Sequence, residues 1–359
     1  MRSPINIVLL TPGFAADEKD TTAFPALQLF TKHLLIHYPD LKLQIITFHY
    51  PFHEKKYMWN GIPVHSFAGK GRKWYKPVLW IRILMLLFRL RKSGGINVIH
   101  SFWLSETVPT GMIFCRLTGI GFLATAMGRD VTGSNKYLRV LRLFTFNLTL
   151  ISEFQSHCLE KFRKSLIYEV IPFGIEQSYY NKMANDRPVD VLGVGSLNSI
   201  KNYDRFIGVI GILAGRFPGI RCRIIGEGVE KSRLEEKAAA IGGGRNIIFA
   251  GSLPYEEVIK EMGSAKVLLH TSVFEGQALV ITEALAAGQY VVSTPVGIAT
   301  SIVSEKLMTG VTMEELASHT AKFLELTDPD YTPGIHYTME DTCRAYDSVY
   351  RQLISRKGA

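Results

Sequence analysis

Residues 266–293, KVLLHTSVFEGQALVITEALAAGQYVVS, change period twice, and no other stretch of the chain narrows the fold as far. Lys266–His270 is a short apolar run that feeds a polar loop. Ala278–Ala287 repeats small and aliphatic residues at helical spacing with Gly288 as its stop, and Tyr290–Ser293 is apolar again. Strand, loop, helix and strand in so short a space is the pattern of a parallel sheet wound on both faces.

The alternation runs through the chain. Strands are expected at Ile5–Leu10, Leu43–Phe48, Val98–Ser101, Phe122–Ala126, Leu148–Ser152 and Glu169–Ile171, then at Val189–Val194, Arg221–Ile225, Ile247–Ala250, Lys266–His270 and Tyr290–Ser293, with helices between them. The stretch Pro172–Pro188 is polar and turn-rich and has neither period, so it reads as the junction. The fold class is therefore α/β: two Rossmann-like doubly wound domains, 1–172 and 173–339, with ligands expected in a central cleft at the carboxyl ends of the strands. A chain of 359 residues, 47% hydrophobic, has apolar material for two cores. A last helix is expected over 340–357, with Tyr346, Val349, Tyr350 and Leu353 at helical spacing.

Cys115, Cys158, Cys222 and Cys343 show no C-x-x-C spacing, which argues against a zinc site or a disulfide framework and fits a reducing cytoplasm. The apolar part of MRSPINIVLLTPGF is too short for a secretory leader, so a cytoplasmic location is expected. Charge is lopsided: positions 1–170 hold 22 Lys and Arg against 10 Asp and Glu, the remainder 19 against 22. From Lys55 to Trp103 there are ten basic side chains and no acidic one, which points to an anionic partner. Within this stretch, Lys70–Lys92 has Ile83–Phe88 as its longest apolar run, far short of the ~20 residues of a spanning helix. Two readings stand: a basic helix lying on an anionic membrane surface, or a core helix over Val78–Leu90 with basic residues at its C-terminal end. No nucleic-acid-binding motif is present, and nucleic acid is not an expected partner.

The candidate site residues begin with Glu275, in the loop after the strand Lys266–His270, and Glu283, on the helix that follows. A helix N-terminus beside that loop offers unpaired N–H groups to a pyrophosphate. Spacing alone suits a solvated pair of acids equally well. The whole run decides otherwise: Ser272, Glu275, Gly276, Leu279, Glu283, Ala284, Ala286, Gly288, Val291 and Val292 fall on S-x-x-E-G-F-G-L-x-x-x-E-A-M-A-x-G-x-P-V-V. It resembles the signature of the retaining GT-B glycosyltransferases of family 4, the glycosyl transferases group 1. The resemblance implies that Glu275 contacts the transferred sugar, that Glu283 holds the ribose hydroxyls, and that Gly276, Gln277, Ala278 and Leu279 form a backbone cradle. Val170–Glu176 is similar to the family's V-I-P-N-G-V-D. Val194–Ile207 is similar to V-G-R-L-x-x-x-K-G, which marks Gly195, Ser196 and Lys201. A lysine just before a helix neutralises a departing diphosphate. Gly226-Glu227-Gly228 resembles the G-x-G-P loop, and Gly251–Val258 resembles the segment lining the base, which puts Ser252 and Leu253 there. In GT-B enzymes the last helix crosses back to the first domain.

Departures from the pattern are equally specific. Gln277-Ala278 replaces Phe-Gly, Tyr290 replaces Pro, and Ser196 replaces Arg, which removes a positive charge. Leu123–Val131, LATAMGRDV, resembles V-x-T-x-H-G-x-D with Met127 at the histidine position, and methionine donates no hydrogen bond. Arg129 and Asp130 remain as acceptor-side candidates or as a turn salt bridge, and His100 as an acceptor contact or a structural residue. The loop Thr11–Thr22 lacks a Gly-Gly pair, and Gly13 with a helix start at Thr21-Thr22 is expected to supply donors to the phosphates. The implied activity is retaining transfer, without cofactor or metal, from a nucleoside diphosphate sugar to a glycan or lipid-linked acceptor at the cytoplasmic face of a membrane. The alternative is a non-catalytic nucleotide-sugar or glycan-binding partner on the same fold. An epimerase suits the Glu275–Val292 run less well, and no G-x-G-x-x-G follows the first strand, as a dinucleotide dehydrogenase requires.

Overall fold

The computed structural model describes residues 4–141, 143–160, 168–180, 183, 186–241, 244–334 and 337–355. Of the expected junction, 181, 182, 184 and 185 lie outside the described residues, as do 356 and 357 of the expected last helix. The chain divides into two units: one runs to Gly174 and takes in the C-terminal segment from Met339, and the other is Ile175–Thr338.

The first unit opens with β1 (Ile5–Gly13), α1 (Pro25–His37) and β2 (Leu41–Tyr50). Next come β3 (Lys55–Trp59) and β4 (Ile62–Ser66), a hairpin that the sequence reading passed over. Trp59 pairs with Ile62 across a two-residue turn, Asn60-Gly61, at φ 45° and 78°. Asn-Gly supplies both positive φ values at little cost, which makes it a strong hairpin signal. Then follow α2 (Lys76–Gly94), β5 (Val98–Phe102), α3 (Thr107–Thr118), β6 (Gly121–Ala126), α4 (Lys136–Leu141), β7 (Asn147–Leu150), α5 (Glu153–Glu160) and β8 (Tyr168–Val170). The strand order is β3-β4-β2-β1-β5-β6-β7-β8, and every pairing except β3 with β4 is parallel. Central strands such as β5 and β6 are buried along their whole length, so no alternation of exposed and buried positions marks them.

The second unit contains β9 (Val189–Val194), α6 (Tyr203–Ala214), β10 (Cys222–Ile225), α7 (Lys231–Ala239), β11 (Ile247–Gly251), α8 (Tyr255–Gly263), β12 (Ala265–His270), α9 (Leu279–Ala286), β13 (Tyr290–Ser293), β14 (Leu307–Thr309) and α10 (Met313–Leu324). The order is β11-β10-β9-β12-β13-β14, all parallel. The sheet has a core on each face, one around Phe206, Ile210 and Leu316, the other around Ile259, Ile281 and Leu285. From β9 the chain winds outward through β10 and β11, then returns to β12 beside β9 and winds the other way. The crevice at such a reversal, outside the carboxyl ends of the two strands, is where open α/β sheets bind ligands.

The last helix, α11 (Met339–Ser355), belongs to the first unit. Its buried face packs on α1, with the Phe30 and Tyr346 rings 5.0 Å apart, and Thr342 Oγ1 accepts from the Gly174 amide at 2.8 Å.

Candidate active site

The loops after β9 and β12 lie at the reversal and are tied to each other. The Val273 amide donates to Ile200 O at 2.8 Å, and Thr271 Oγ1 donates to the carbonyls of Lys201 and Asn202 at 3.1 Å. Asn202, in the left-handed region at φ 51°, turns the chain into α6, which begins at Tyr203. Fixed in this way, Lys201 Nζ stands 2.7 Å from Glu275 Oε1. Ser272 Oγ donates to the same oxygen at 2.7 Å, and His270 Nε2 lies 3.3 Å from it. The far side of the imidazole is held by Ser293 Oγ, 3.0 Å from Nδ1. Burial pushes the Glu275 carboxyl up, but the His270 hydrogen bond and the Lys201 charge outweigh it and bring the pKa to about 2. Burial pushes His270 down, so the ring is neutral at neutral pH. The result is an ionised carboxylate facing a cation at the carboxyl edge of the sheet.

Glu283 sits about one turn into α9, where Tyr255 OH donates to its Oε1 at 2.8 Å; burial raises its pKa against that hydrogen bond. The structure thus joins Lys201 and Glu275 directly and gives Glu283 a separate partner. Gly276, Gln277 and Ala278 are buried, Ala278 is left-handed at φ 67°, and Leu279 starts α9. The Ile298 amide donates to Gln277 O at 2.7 Å, which pins this turn to the loop after β13. Gly195 and Gly226, both at φ 148°, let the loops after β9 and β10 meet backbone to backbone: a Cβ on Gly226 would stand 2.0 Å from Gly195 O. Ser196 and Ser252 are exposed, and Leu253 is half-buried on the turn into α8.

The first unit corrects several expectations. His100 is fully buried: Nδ1 lies 2.7 Å from Tyr350 OH and Nε2 2.7 Å from Thr125 Oγ1, so it is a core residue with no surface for an acceptor. Asp130 forms no salt bridge among the described residues; its carboxylate accepts from the amides of Leu104, Gly128 and Met127 at 2.7, 2.7 and 3.2 Å and so holds the backbone of this turn. Met127 is half-buried and Arg129 exposed. Gly13 ends β1 under the Phe24 ring. Helix α1 does not start at Thr21-Thr22 but at Pro25, since proline favours the first helical position, and Asp20 organises the loop by accepting from the amides of Ala16 and Ala23.

His270 and Tyr255 escaped the sequence reading. A lone histidine closing an apolar strand, two residues before Ser272, was the available signal for the first. Tyr255 lies within the marked segment Gly251–Val258 but at a position the pattern leaves unspecified, and its contact with Glu283 spans 28 positions.

Residues 180–328 match the family of glycosyl transferases group 1. D-inositol 3-phosphate glycosyltransferase of Corynebacterium urealyticum is 28% identical over 178 residues, 45% of this chain and 42% of that protein. A component of the human phosphatidylinositol N-acetylglucosaminyltransferase is 26% identical over 144 residues, 40% of this chain and 30% of that protein. The match therefore spans less than half the length of these curated relatives. Among solved structures, sucrose-phosphate synthase of Thermosynechococcus elongatus superposes with a TM-score of 0.79 at 15% identity, over 98% of this chain and all of that one. Anabaena HepE in complex with UDP-glucose gives 0.69 at 16% identity, over 98% of each chain. The match to the glycosyl transferases group 1 thus lies in the second unit, and the chain as a whole has the GT-B fold of these structures.

Proposed function

We propose that the protein transfers a sugar from a nucleoside diphosphate sugar to a glycan or lipid-linked acceptor, with retention and without a metal, in cell-surface glycan synthesis at the cytoplasmic face of a membrane. The observation that carries this reading is the 2.7 Å Lys201–Glu275 pair at the reversal of the second sheet. In this scheme Lys201 neutralises the charge that develops on the leaving diphosphate, an electrostatic contribution that ranks among the largest in such reactions. Glu275, held ionised, accepts from hydroxyls of the transferred sugar, and Glu283 accepts from the ribose. The phosphates sit against the amides at the start of α9, with Gly195 and Gly226 allowing close approach. Retention follows if the acceptor attacks on the face the diphosphate leaves, with the leaving phosphate taking the acceptor's proton, so no protein base is needed. UDP-glucose bound to HepE makes UDP-sugars the first donors to try.

The test is a thermal-shift panel of UDP-, GDP- and ADP-sugars on the wild type and Glu283→Ala, since a ligand at 100 times its Kd stabilises by about 2.7 kcal/mol. A shift for one base class that is lost in the variant supports the donor site; no shift with any nucleotide sugar overturns it. Turnover unaffected by a chelator is expected. Glu275→Ala and Lys201→Ala are each expected to abolish transfer in folded protein, and wild-type turnover in either defeats the proposal. A second reading, nucleotide-sugar binding without transfer, is favoured by Met127 and Ser196, which leave the pattern's histidine and arginine unreplaced. Donor binding without product from any acceptor would select it.

A further inference from the structure

Helix α2 has two apolar faces. Leu79, Ile83 and Leu87 are buried in the first unit, whereas Val78, Ile81, Met85 and Phe88 are exposed, Ile81 by 57% and Met85 by 47%. At 3.6 residues per turn the two sets lie about 180° apart. Trp74, 75% exposed in the turn that precedes the helix, sits four residues before Val78 at the same spacing. The basic-helix and core-helix readings of this segment are thus not exclusive: one face of α2 serves each. An outward apolar stripe over about three helical turns, continued by a tryptophan, needs something to cover it.

Its surroundings are cationic. Lys70, Arg72, Lys73, Arg89, Arg91 and Lys92 have no ion-pair partner among the described residues. The two acids that flank the stretch are already engaged. Glu54 is bound by both guanidinium nitrogens of Arg82, at 3.0 and 2.5 Å. Glu106 accepts from Trp80 Nε1 at 3.0 Å and pairs with Lys76 at 3.1 Å, with His49 2.7 Å away. Between α2 and the β3–β4 hairpin lies a cavity of about 420 Å³, lined on its polar side by Lys55, Lys56, Arg89 and the mutually paired Glu54 and Arg82, and on its apolar side by Met85. Met85 belongs to both the cavity wall and the stripe, so the two form one surface.

We infer that this surface docks on an anionic lipid bilayer, with the stripe of α2 at the acyl boundary and the cavity receiving a phosphate headgroup. The two ingredients, an apolar row and a ring of free cations, are those of an interfacial helix. No helix among the described residues is long and apolar enough to cross a membrane, so the contact is lateral. A second copy of the chain is the poorer occupant, because a self-paired interface brings the same cations face to face. The inference goes beyond the proposed transfer and does not depend on it.

Flotation of the full chain with vesicles of phosphatidylcholine, alone or with phosphatidylglycerol, tests it. Binding is expected for the anionic vesicles and not for the neutral ones. Arg89→Gln/Arg91→Gln/Lys92→Gln is expected to weaken it roughly a hundredfold. Ile81→Ser/Met85→Ser, at exposed positions that leave the core untouched, is expected to lose it as well, and Lys42→Gln/Arg245→Gln/Lys322→Gln to retain it. Binding that survives both α2 variants, that falls equally in the control, or that ignores lipid charge overturns the inference. A dimer in vesicle-free solution that Ile81→Ser/Met85→Ser dissociates overturns it in favour of a second copy. Nucleotide-sugar thermal shifts on the same variants read the site in the second unit, so loss of one activity is told apart from loss of the other.

Discussion

Lys201→Met keeps the length of the side chain and removes its charge, and its cost can be worked from the geometry around Glu275. The carboxyl is drawn from an ordinary 4.5 to about 2. A tenfold change in acidity is worth about 1.4 kcal/mol, so the ionised group contributes about 3 kcal/mol to folding at neutral pH. Its side chain is 16% exposed, too little for solvent to screen the pair away. Three donors share the work, Lys201, Ser272 and His270. A share of a third to a half leaves Lys201 with about 1–2 kcal/mol. For a unit of this size that is a fall in Tm of about 3–6 °C. Because the folded-state pKa lies below the unfolded one, the contribution is complete above about 4.5 and is lost as pH falls through about 2. Thermal melts of wild type, Lys201→Met, Glu275→Gln and the double variant close a cycle that isolates the pair. A coupling below about 0.5 kcal/mol at neutral pH refutes the reasoning. So does a gap between wild type and Glu275→Gln that stays constant as the pH is lowered to about 2.

Other consequences follow from single contacts. Gly226→Ala drives a methyl into Gly195 O at a positive φ and is expected to cost about 1–3 kcal/mol, read as a lower denaturation midpoint; an unchanged midpoint contradicts the close approach. Tyr255→Phe removes the hydroxyl that holds Glu283, whose pKa burial already raises, so the pH below which nucleotide affinity is lost should move up; calorimetric titration at several pH values checks it, and an unmoved profile rules it out. His270→Phe leaves Glu275 with one donor fewer and is expected to lower kcat more than nucleotide affinity, with the acid loss of stability moving to higher pH. Equal loss of both would assign His270 to binding.

How much of this was legible in the sequence depends on the distance over which each feature is specified. The central strands were, because a parallel strand buried on both faces is a largely apolar run bounded by turns, as in Tyr290–Ser293. The β3–β4 hairpin was not, since its strands are short and carry Lys55, Lys56 and His65, although Asn60-Gly61 announced the turn. Edge strand β14, three residues long, has too little pattern to stand out. Within the site, Lys201 and Glu275 could be marked as a pair of landmarks, but their contact spans 74 positions and exists only because β9 and β12 are neighbours. His100 misled for a physical reason: a histidine at the end of a strand looks exposed until the tyrosines of α11, 250 positions away, are known to cover it.

Ser196 and Lys201 together define how charge is apportioned at the site. With serine where the family pattern carries arginine, Lys201 is the cation in contact with Glu275 among the described residues, and Glu275 already occupies it. On the proposed reading, an incoming diphosphate competes with a carboxylate for one ammonium. The competition is survivable because Glu275 does not depend on Lys201 alone: Ser272 and the His270 ring remain at the same oxygen and preserve the anion as the lysine turns toward phosphate. Their donors are neutral, so they favour the carboxylate without trapping the diphosphate. The freed carboxylate is then available to sugar hydroxyls, and the amides at the start of α9 share the phosphate charge with Lys201. A second fixed cation would hold the spent nucleotide more tightly as well as the donor. Having one, shared between the carboxylate and the phosphate, ties the release of Lys201 from Glu275 to the arrival of a ligand that brings both a sugar and a diphosphate.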